Sequence, residues 1–232
     1  HHTFVKIEPI AFVRSCFGSK FAVPRQPGLC SSAWGEVVFE KGYDQIEALR
    51  GLEDFSHVWL IFGFHQTVER GWKPTVRPPR LGGNKRVGVF ASRATHRPNG
   101  LGLSLVALEG VEVNGFNAPQ LKVGGLDLLD GTPIYDIKPY LAYAESIPDA
   151  RFGYAGHGVE RLEVVVDDAA KETFDALSNR AQAVIREALS LDPRPAVQSG
   201  ESGRVYGASI CNHNVRFVIG EAMCRIVELA PL

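Results

Sequence analysis

The sequence lacks the features that mark several large protein classes. Its four cysteines, Cys16, Cys30, Cys211 and Cys224, form no Cys-x-x-Cys pair and show no Cys/His ligand spacing. Neither a zinc site nor a dense disulfide framework is therefore predicted. No apolar run approaches the ~20 residues of a membrane span. We expect a protein of the reducing cytoplasm that binds no metal and does not enter a membrane.

Common nucleotide-binding and hydrolase motifs are also missing. The sequence contains no Gly-x-x-x-x-Gly-Lys phosphate loop, no Gly-x-Ser-x-Gly turn and no His-Glu-x-x-His pair. Gly100-Leu101-Gly102 is too short for the dinucleotide-binding fingerprint, and Gly124-Gly125 is typical of a turn. A nucleotide or adenosyl cofactor would therefore require a fold other than the Rossmann fold.

The composition is that of a globular protein, but the charge is unevenly distributed. The 232 residues are 45% hydrophobic and 22% charged, with a formal net charge of -1. Between His65 and Ser104, however, eight basic residues face one acid, Glu69. Such a concentration is typical of a surface that binds phosphates, and Trp72, Phe90 and His96 lie within it, suited to stacking on bases. The alternative is a solvated basic face beside acidic neighbours. The basic residues are Arg70, Lys73, Arg77, Arg80, Lys85, Arg86, Arg93 and Arg97.

The first part of the chain predicts a mainly β structure. Short apolar runs bounded by Gly, Pro, Asn or Asp indicate strands, and their regular spacing favours an antiparallel sheet or barrel. One stretch, 43–49, has a helical pattern. No strand-helix-strand repeat indicates a doubly wound fold. The predicted strands are 6–13, 36–39, 57–62, 86–91, 103–108, 121–123 and 132–137.

The pattern changes after about residue 145. A strand is predicted at 159–166, and apolar residues at three- and four-residue steps predict one helix of about five turns, capped by Asp167 or Asp168 and stopped by Asp192-Pro193. Three strands follow, at 204–211, 215–219 and 223–229. We therefore predict a β-barrel domain over residues 3–145 and a smaller α+β domain over residues 146–232.

Several segments are too polar and too rich in Gly and Pro to be explained by packing. They include Pro24-Arg-Gln-Pro-Gly28, the long segment 88–104 and Leu126-Asp-Leu-Leu-Asp-Gly131. Together these segments resemble the TsaA-like family of tRNA methyltransferases, and the resemblance runs from about residue 4 to the C-terminus. The other matching segments are 20–23, 63–66, 77–84, 132–140 and 192–195.

The resemblance implies both a fold and an activity. Members of the family are homodimers whose first domain is an antiparallel β-barrel, unlike Rossmann or knotted methyltransferases. They use S-adenosylmethionine to methylate N6 of N6-threonylcarbamoyladenosine at position 37 of threonine tRNA. Two alternatives stay open: a non-catalytic barrel that binds tRNA or an adenosyl ligand, and a methyltransferase that acts on a small molecule.

The resemblance also implies a set of cofactor-binding residues. A guanidinium, Arg25 or Arg93, would pair with the cofactor carboxylate, and Asp127 or a backbone carbonyl would accept from a ribose hydroxyl or the ammonium group. Read without the family, His65 could equally be a hydrogen-bonded core histidine. The full set is Arg25, Gln26, Pro27, His65, Gln66, Arg93, Leu103, Leu126, Asp127, Leu128 and Leu129.

Residues for chemistry and for tRNA binding are predicted less directly. Asp136 or Asp130 would accept a proton or orient the target, with Lys138 and Tyr140 polarising its carbamoyl group. The alternatives are a hairpin turn at Asp130-Gly131 and a surface ion pair between Asp136 and Lys138. The 192–195 segment stops a helix in any protein, but Arg194, displayed between two prolines, suggests a tRNA or substrate contact. The predicted tRNA-binding residues are Arg77, Arg80, Arg86, Arg97, Tyr140 and Arg194.

Overall fold

The first part of the chain folds into a closed barrel of antiparallel strands. The computed structural model describes residues 3–81, 84–113, 118–156, 158–195 and 203–232. Among these residues, the barrel strands follow the order β1-β2-β7-β6-β3-β8, and β4 and β5 form a separate two-stranded sheet. The strands are β1 (Ala11–Ser15), β2 (Trp34–Phe39), β3 (His57–Gly63), β4 (Thr75–Val76), β5 (Val87–Gly88), β6 (Leu101–Glu112), β7 (Gln120–Gly124) and β8 (Pro133–Pro139).

Alternating burial along the strands builds the barrel core. In β2, Gly35, Val37 and Phe39 are buried, while the residues between them are partly exposed. Because successive side chains of a strand point to opposite faces, one face of each strand supplies the interior. Leu60 and Leu121 are fully buried there with Val37. The predicted antiparallel barrel is confirmed.

Two predicted elements are shorter than expected. The strand predicted at 86–91 contains only the two residues of β5, and a 3₁₀ turn begins at Val89. Its partner β4 lies between Pro74 and Pro78, which lack the backbone N–H needed to extend a ladder. The helix predicted at 43–49 is reduced to a 3₁₀ turn, Ile46–Leu49.

The first strand starts later than the predicted 6–13. β1 begins at Ala11, which lies opposite Phe39, the last residue of β2. Residues before Ala11 therefore have no further partner on β2. The Ile10 N–H still donates to the carbonyl of Ile134 on β8 at 2.8 Å.

The C-terminal unit, residues 161–232, places two helices beside a mixed sheet in its described parts, 161–195 and 203–232. Its sheet has the order β10-β11-β12-β9, with β9 parallel to β12. A short helix, α1 (Ala142–Glu145), lies between the barrel and this unit. The elements of the unit are β9 (Glu163–Val166), α2 (Asp168–Asp175), α3 (Asn179–Ser190), β10 (Val205–Ile210), β11 (His213–Ile219) and β12 (Met223–Pro231). The predicted α+β character is confirmed.

The single helix predicted in this unit is wrong, because the chain forms two helices. Ser178 lies between them in a non-helical conformation, and its Oγ accepts a hydrogen bond from the Ala181 N–H at 3.2 Å. A serine that caps a new helix competes with continuation of the previous one. Asp167 precedes α2 as predicted, but its carboxylate pairs with Arg225 instead of capping the helix.

The barrel and the C-terminal unit share one buried core. Phe17, just after β1, forms a β-bridge with Ile210 at the end of β10. Phe21 stacks on Tyr206, with ring centroids 5.6 Å apart, and both rings lie near Phe217. The C-terminal unit is therefore packed firmly against the barrel end that carries residues 16–34. None of the helices among the described residues is long and apolar enough to cross a membrane.

Candidate active site

Two of the predicted cofactor segments meet at one end of the barrel. The Gly28 N–H donates to the Gly125 carbonyl at 2.9 Å, so the loop carrying Arg25, Gln26 and Pro27 contacts the turn before Asp127. Gly28 and Gly125 both have positive φ, 79° and 66°. A Cβ on Gly125 would lie 3.4 Å from the Gly28 Cα, an ordinary contact distance, so the positive φ is what favours glycine at position 125.

Arg93 and Ser104 join a third segment, 88–104, to the same place. The Arg93 guanidinium donates to the Gln26 side-chain oxygen. On β6, Ser104 is 1% exposed, and its hydroxyl donates to Asp127 Oδ1 at 2.7 Å. Gln26, Arg93, Ser104 and Asp127 are called the Asp127 cluster below. This cluster combines a guanidinium, an amide and a carboxylate within a few hydrogen bonds.

The Asp127 carboxyl has a pKa above its usual value. Burial raises its pKa to about 6, although the hydrogen bond from Ser104 and the charge of Arg93 act in the opposite direction. At neutral pH the group is therefore ionised but desolvated. A partly buried carboxylate of this kind is a strong acceptor for a hydroxyl or ammonium donor.

Two of the leucines around Asp127 belong to the core. Leu126 is fully buried and Leu128 is 3% exposed, whereas Leu129 is partly exposed. The Leu128 carbonyl accepts from the Ser15 hydroxyl at 2.6 Å, and the Leu129 carbonyl accepts from the Thr132 hydroxyl at 2.6 Å. Leu126 and Leu128 can therefore reach a cofactor only through main-chain groups, whereas the side chains of Asp127 and Leu129 are not fully buried.

His65 and Gln66 are exposed immediately after β3. The residue before them, Phe64, donates its N–H to the Gly100 carbonyl at 2.8 Å, which holds them beside the turn that leads into β6. The alternative that His65 is a core histidine is wrong. The two side chains are free to contact a ligand in this position.

The hydrogen bonds of Asp136 and Asp130, both predicted for catalysis, are separate from those of the Asp127 cluster. Asp136 is exposed on β8, and its carboxylate accepts from the following N–H of Ile137 at 2.9 Å. Lys138 is exposed two residues along the same strand, so both side chains are on the outer face of the barrel. The Asp130 carboxylate accepts from the Ser15 N–H at 2.9 Å and thereby fixes the end of β1.

A groove of about 370 Å³ runs along that outer face. Leu103, predicted to contact the cofactor, is 52% exposed, and its side chain lines this groove on the outer face. The side chain of its neighbour Ser104 points inward, and it is Ser104 that joins the Asp127 cluster. The Trp59 indole donates to the Glu145 carboxylate, and Tyr140 lies edge-on to Trp59 at 6.3 Å. The groove is lined by Trp59, Ile61, Leu103, Lys138, Pro139, Leu141 and Glu145.

The basic segment presents both charges and aromatic rings to solvent. Arg77 and Arg86 are exposed, and Phe90 and Trp72 are 75% and 53% exposed. Arg97 lies over the Phe90 ring at 6.0 Å. The side chain of Arg80 lies outside the described residues. Exposed rings beside guanidinium groups are suited to single-stranded nucleic acid.

Two of the predicted tRNA-binding arginines have internal partners. Arg97 donates to the carbonyls of Val89 and Ser92 at 3.0 and 2.7 Å and stabilises the loop between them. Arg194 is only 8% exposed, and its guanidinium pairs with Asp192 at 2.8 Å. The expectation that Arg194 is displayed is wrong, because the side chain folds back on the aspartate two residues earlier. A tRNA contact of Arg194 stays a prediction.

Sequence reasoning assigned no role to Ser104. Its position next to Leu103 on a strand was the available signal, since neighbouring residues point to opposite faces and a hydroxyl on the inner face requires a partner. The described residues contain no group of three or more His, Cys, Asp or Glu side chains that could hold a metal ion.

Comparison with known families decides what kind of protein carries this site. The model of the tRNA-methyltransferase O N-terminal domain matches residues 12–146, and that of the TrmO C-terminal domain matches residues 159–232. The chain belongs to the TrmO family. A TrmO relative from Escherichia coli, named tRNA (adenine(37)-N6)-methyltransferase, is 48% identical over 97% of this chain and 98% of its own length.

Further members of the TrmO family agree in sequence and in fold. A Pseudomonas aeruginosa protein, provisionally named S-adenosylmethionine-dependent methyltransferase RcsF, is 47% identical over 91% of each chain. The crystal structure of TrmO from Pseudomonas aeruginosa superposes with a TM-score of 0.79 and 39% identity, covering 98% of this chain and 99% of that one. The likeness therefore includes the C-terminal unit as well as the barrel.

Proposed function

We propose that this chain transfers a methyl group from S-adenosylmethionine to N6 of adenosine 37 in tRNA. The full-length similarity to the Escherichia coli methyltransferase supports this reaction. Within the molecule, the observation that carries the proposal is the Asp127 cluster, where separate segments of the chain bring complementary polar groups together. An adenosyl ligand with a carboxylate, an ammonium group and ribose hydroxyls matches this set of groups.

The residues that would hold the cofactor follow from their chemistry. S-adenosylmethionine supplies an electrophilic methyl group when it is bound. Arg25 or Arg93 pairs with its carboxylate, and Asp127 accepts hydrogen bonds from a ribose hydroxyl or the ammonium group. His65 and Gln66 add exposed polar groups beside the same barrel end. Backbone groups of 126–129 complete the site, because the side chains of Leu126 and Leu128 are buried.

The finer substrate we propose is N6-threonylcarbamoyladenosine in threonine tRNA. A carbamoyl group makes the N6 proton more acidic, so positioning matters more than a strong base. Asp136 accepts or orients that proton, and Lys138 on the same face of β8 polarises the carbamoyl oxygen. Tyr140 and the exposed arginines at 77 and 86 contact the tRNA.

The test is transfer of labelled methyl groups to bulk tRNA from cells that lack this activity. We expect the label in tRNA, and mass spectrometry of the nucleosides to identify a methylated N6-threonylcarbamoyladenosine. A binding module would transfer no label. A small-molecule methyltransferase would act without tRNA, and its rate would not depend steeply on salt, whereas binding through phosphates weakens strongly as salt rises.

We also propose that the protein is a cytoplasmic homodimer. Cys16, Cys30, Cys211 and Cys224 are all buried free thiols, an arrangement that suits a reducing compartment. Light scattering coupled to gel filtration would measure the mass in solution. A mass equal to one chain of 25.4 kDa would contradict the dimer.

A further inference from the structure

The segment that follows the predicted cofactor loop is bonded to the C-terminal unit at every residue. Residues 29–33, called the clamped segment below, lead directly from Gly28 to β2. Each of the five residues makes at least one hydrogen bond with the C-terminal unit. The Leu29 carbonyl accepts from Arg161 at 2.6 Å, and the Cys30 thiol donates to the Val184 carbonyl at 3.7 Å. The Ser31 hydroxyl donates to Glu187 at 3.4 Å, and Ser32 donates to Glu187 and accepts from Arg180. The Ala33 carbonyl accepts from Arg180 at 3.5 Å.

Of these hydrogen bonds, more involve the Glu187 side chain than any other side chain of the C-terminal unit. Its Oε2 accepts from the Ser32 N–H at 2.9 Å, and its Oε1 accepts from the Ser32 hydroxyl at 2.8 Å and from Ser31. Burial opposes ionisation of this carboxyl, but the hydrogen bonds it accepts, chiefly from Ser32, together outweigh burial and hold its pKa below the usual range. The group is therefore a carboxylate at neutral pH, and hydrogen bonds to a charged acceptor are the stronger kind.

Arg180 ties the clamped segment to the strand that carries Ser104. Its Nε donates to the Ser32 carbonyl at 2.9 Å, while its two terminal nitrogens bond both carboxylate oxygens of Glu109 on β6, at 2.9 and 2.6 Å. The guanidinium also lies over the Trp34 ring at 5.4 Å. A bidentate pair that is also stacked has little freedom to move.

Arg161 fixes the start of the clamped segment. It is itself held within the C-terminal unit, by a 2.9 Å bond to the Ser190 hydroxyl. Immediately before the segment, the backbone of Gly28 is bonded to Gly125, and the Arg25 guanidinium donates to the Arg194 carbonyl at 3.3 Å. The loop that carries Arg25, Gln26 and Pro27 is thus anchored by the barrel on one side and by the C-terminal unit on the other.

We propose that Glu187 is a positioning residue for cofactor binding, and that the C-terminal unit acts through it to fix the loop at 25–28. The inference rests on the proposed function, since it takes that loop as part of the S-adenosylmethionine site. Glu187 acts through the clamped segment, which sets where Arg25 and Gln26 are presented. A preorganised loop binds its ligand more tightly because less ordering is needed on binding.

The experiment compares Glu187→Ala with Glu172→Ala, an exposed glutamate on α2 of the same unit. Calorimetry measures the Kd for S-adenosylmethionine, and steady-state kinetics give KM for each substrate and kcat. We expect Glu187→Ala to raise the Kd and KM for S-adenosylmethionine about tenfold, with the KM for tRNA unchanged. Glu172→Ala should match the wild type. Partial unfolding alone would lower kcat and leave both KM values unchanged.

Two further variants separate the possible outcomes. Glu187→Gln keeps one acceptor oxygen and should recover part of the lost affinity. Ser32→Ala removes one bond from the loop side and should raise the Kd in the same direction by a smaller factor, which decides the matter if Glu187→Ala does not fold. An unchanged Kd in Glu187→Ala, or in Ser32→Ala where that variant decides, would overturn the inference.

Arg25→Ala distinguishes this inference from the proposed function. If Arg25→Ala binds the cofactor as tightly as the wild type, the loop is not part of the site and the proposed cofactor position fails. If Arg25→Ala weakens binding and Glu187→Ala does not, the cofactor position stands and the positioning role of Glu187 is wrong.

Discussion

The Asp127 carboxyl must remain ionised to serve as an acceptor, and its environment makes this dependent on pH. Because burial raises its folded-state pKa to about 6 from 3.8, the folded protein holds this proton more tightly than the unfolded chain. Its contribution to stability is therefore fully present below pH 3.8 and is lost as the pH rises through 6. The affinity for a cationic or hydroxyl donor changes in the opposite direction.

Asp127→Asn should consequently stabilise the protein at neutral pH. The amide keeps an acceptor for the Ser104 hydroxyl but carries no charge to desolvate, so the free energy of unfolding should rise by up to ~3 kcal/mol. Urea unfolding at about pH 7.5 and pH 5 measures this, and the gain should shrink at the lower pH. Equal gains at both pH values would show that ionisation of Asp127 is not the cause.

Asp136→Asn should lower turnover while leaving cofactor affinity intact. The side chain is exposed and accepts a hydrogen bond from the neighbouring Ile137 N–H, so its loss should not disturb the Asp127 cluster. A lost proton acceptor reduces the rate about 100-fold or more. Single-turnover methylation and calorimetry give the two quantities. The control is Asp54→Asn, an exposed aspartate in a 3₁₀ turn. A single-turnover rate equal to the wild type would remove Asp136 from the mechanism.

The caps and turns determine where the helices of the C-terminal unit end. Ser178→Ala removes the side-chain acceptor for the first turn of α3 and should cost about 1 kcal/mol of stability. Thermal or urea unfolding measures the loss. Ser146→Ala, at the exposed end of α1, should stay within about 0.5 kcal/mol of the wild type. Equal effects of the two changes would mean that the Ser178 bond is not stabilising.

Strands and helices that are marked by their own sequence pattern were predictable. Elements whose length depends on a neighbouring segment were not. Short apolar runs bounded by Gly, Pro, Asn or Asp identified most barrel strands, because each strand carries its own signal. The strand predicted at 86–91 is shorter because prolines flank its partner β4. The break between α2 and α3 was not predicted because the apolar face continues through Leu177 across Ser178.

The residues of the candidate site were selected by resemblance, and their arrangement was not predicted. The resemblance to the TsaA-like family implied Arg93, Gln26 and Asp127 as cofactor-binding residues. Their contact across the fold could not be read from the chain. Glu187 lies 155 positions from Ser32, and no local pattern marks it, because its helix has an ordinary amphipathic sequence.

At the scale of the whole molecule, the barrel and the C-terminal unit behave as one structure. Their shared core includes Phe17, Tyr206 and Phe217, and the clamped segment adds polar bonds between them. Because the interface is both apolar and hydrogen-bonded, each part alone would expose apolar side chains and polar groups that have lost their partners. A cooperative unfolding transition for the entire chain follows from this arrangement.

The bridge between Phe17 and Ile210 also shields the protein from self-association. β10 is an edge strand, and its end is covered by bonds from Gly18 N–H to Ser209 O and from Cys211 N–H to Cys16 O. Open strand edges recruit other chains into aggregates. A fragment of residues 159–232 should therefore form large particles in light scattering at concentrations where the whole chain does not. If the fragment stays monomeric, the barrel has no such protective role.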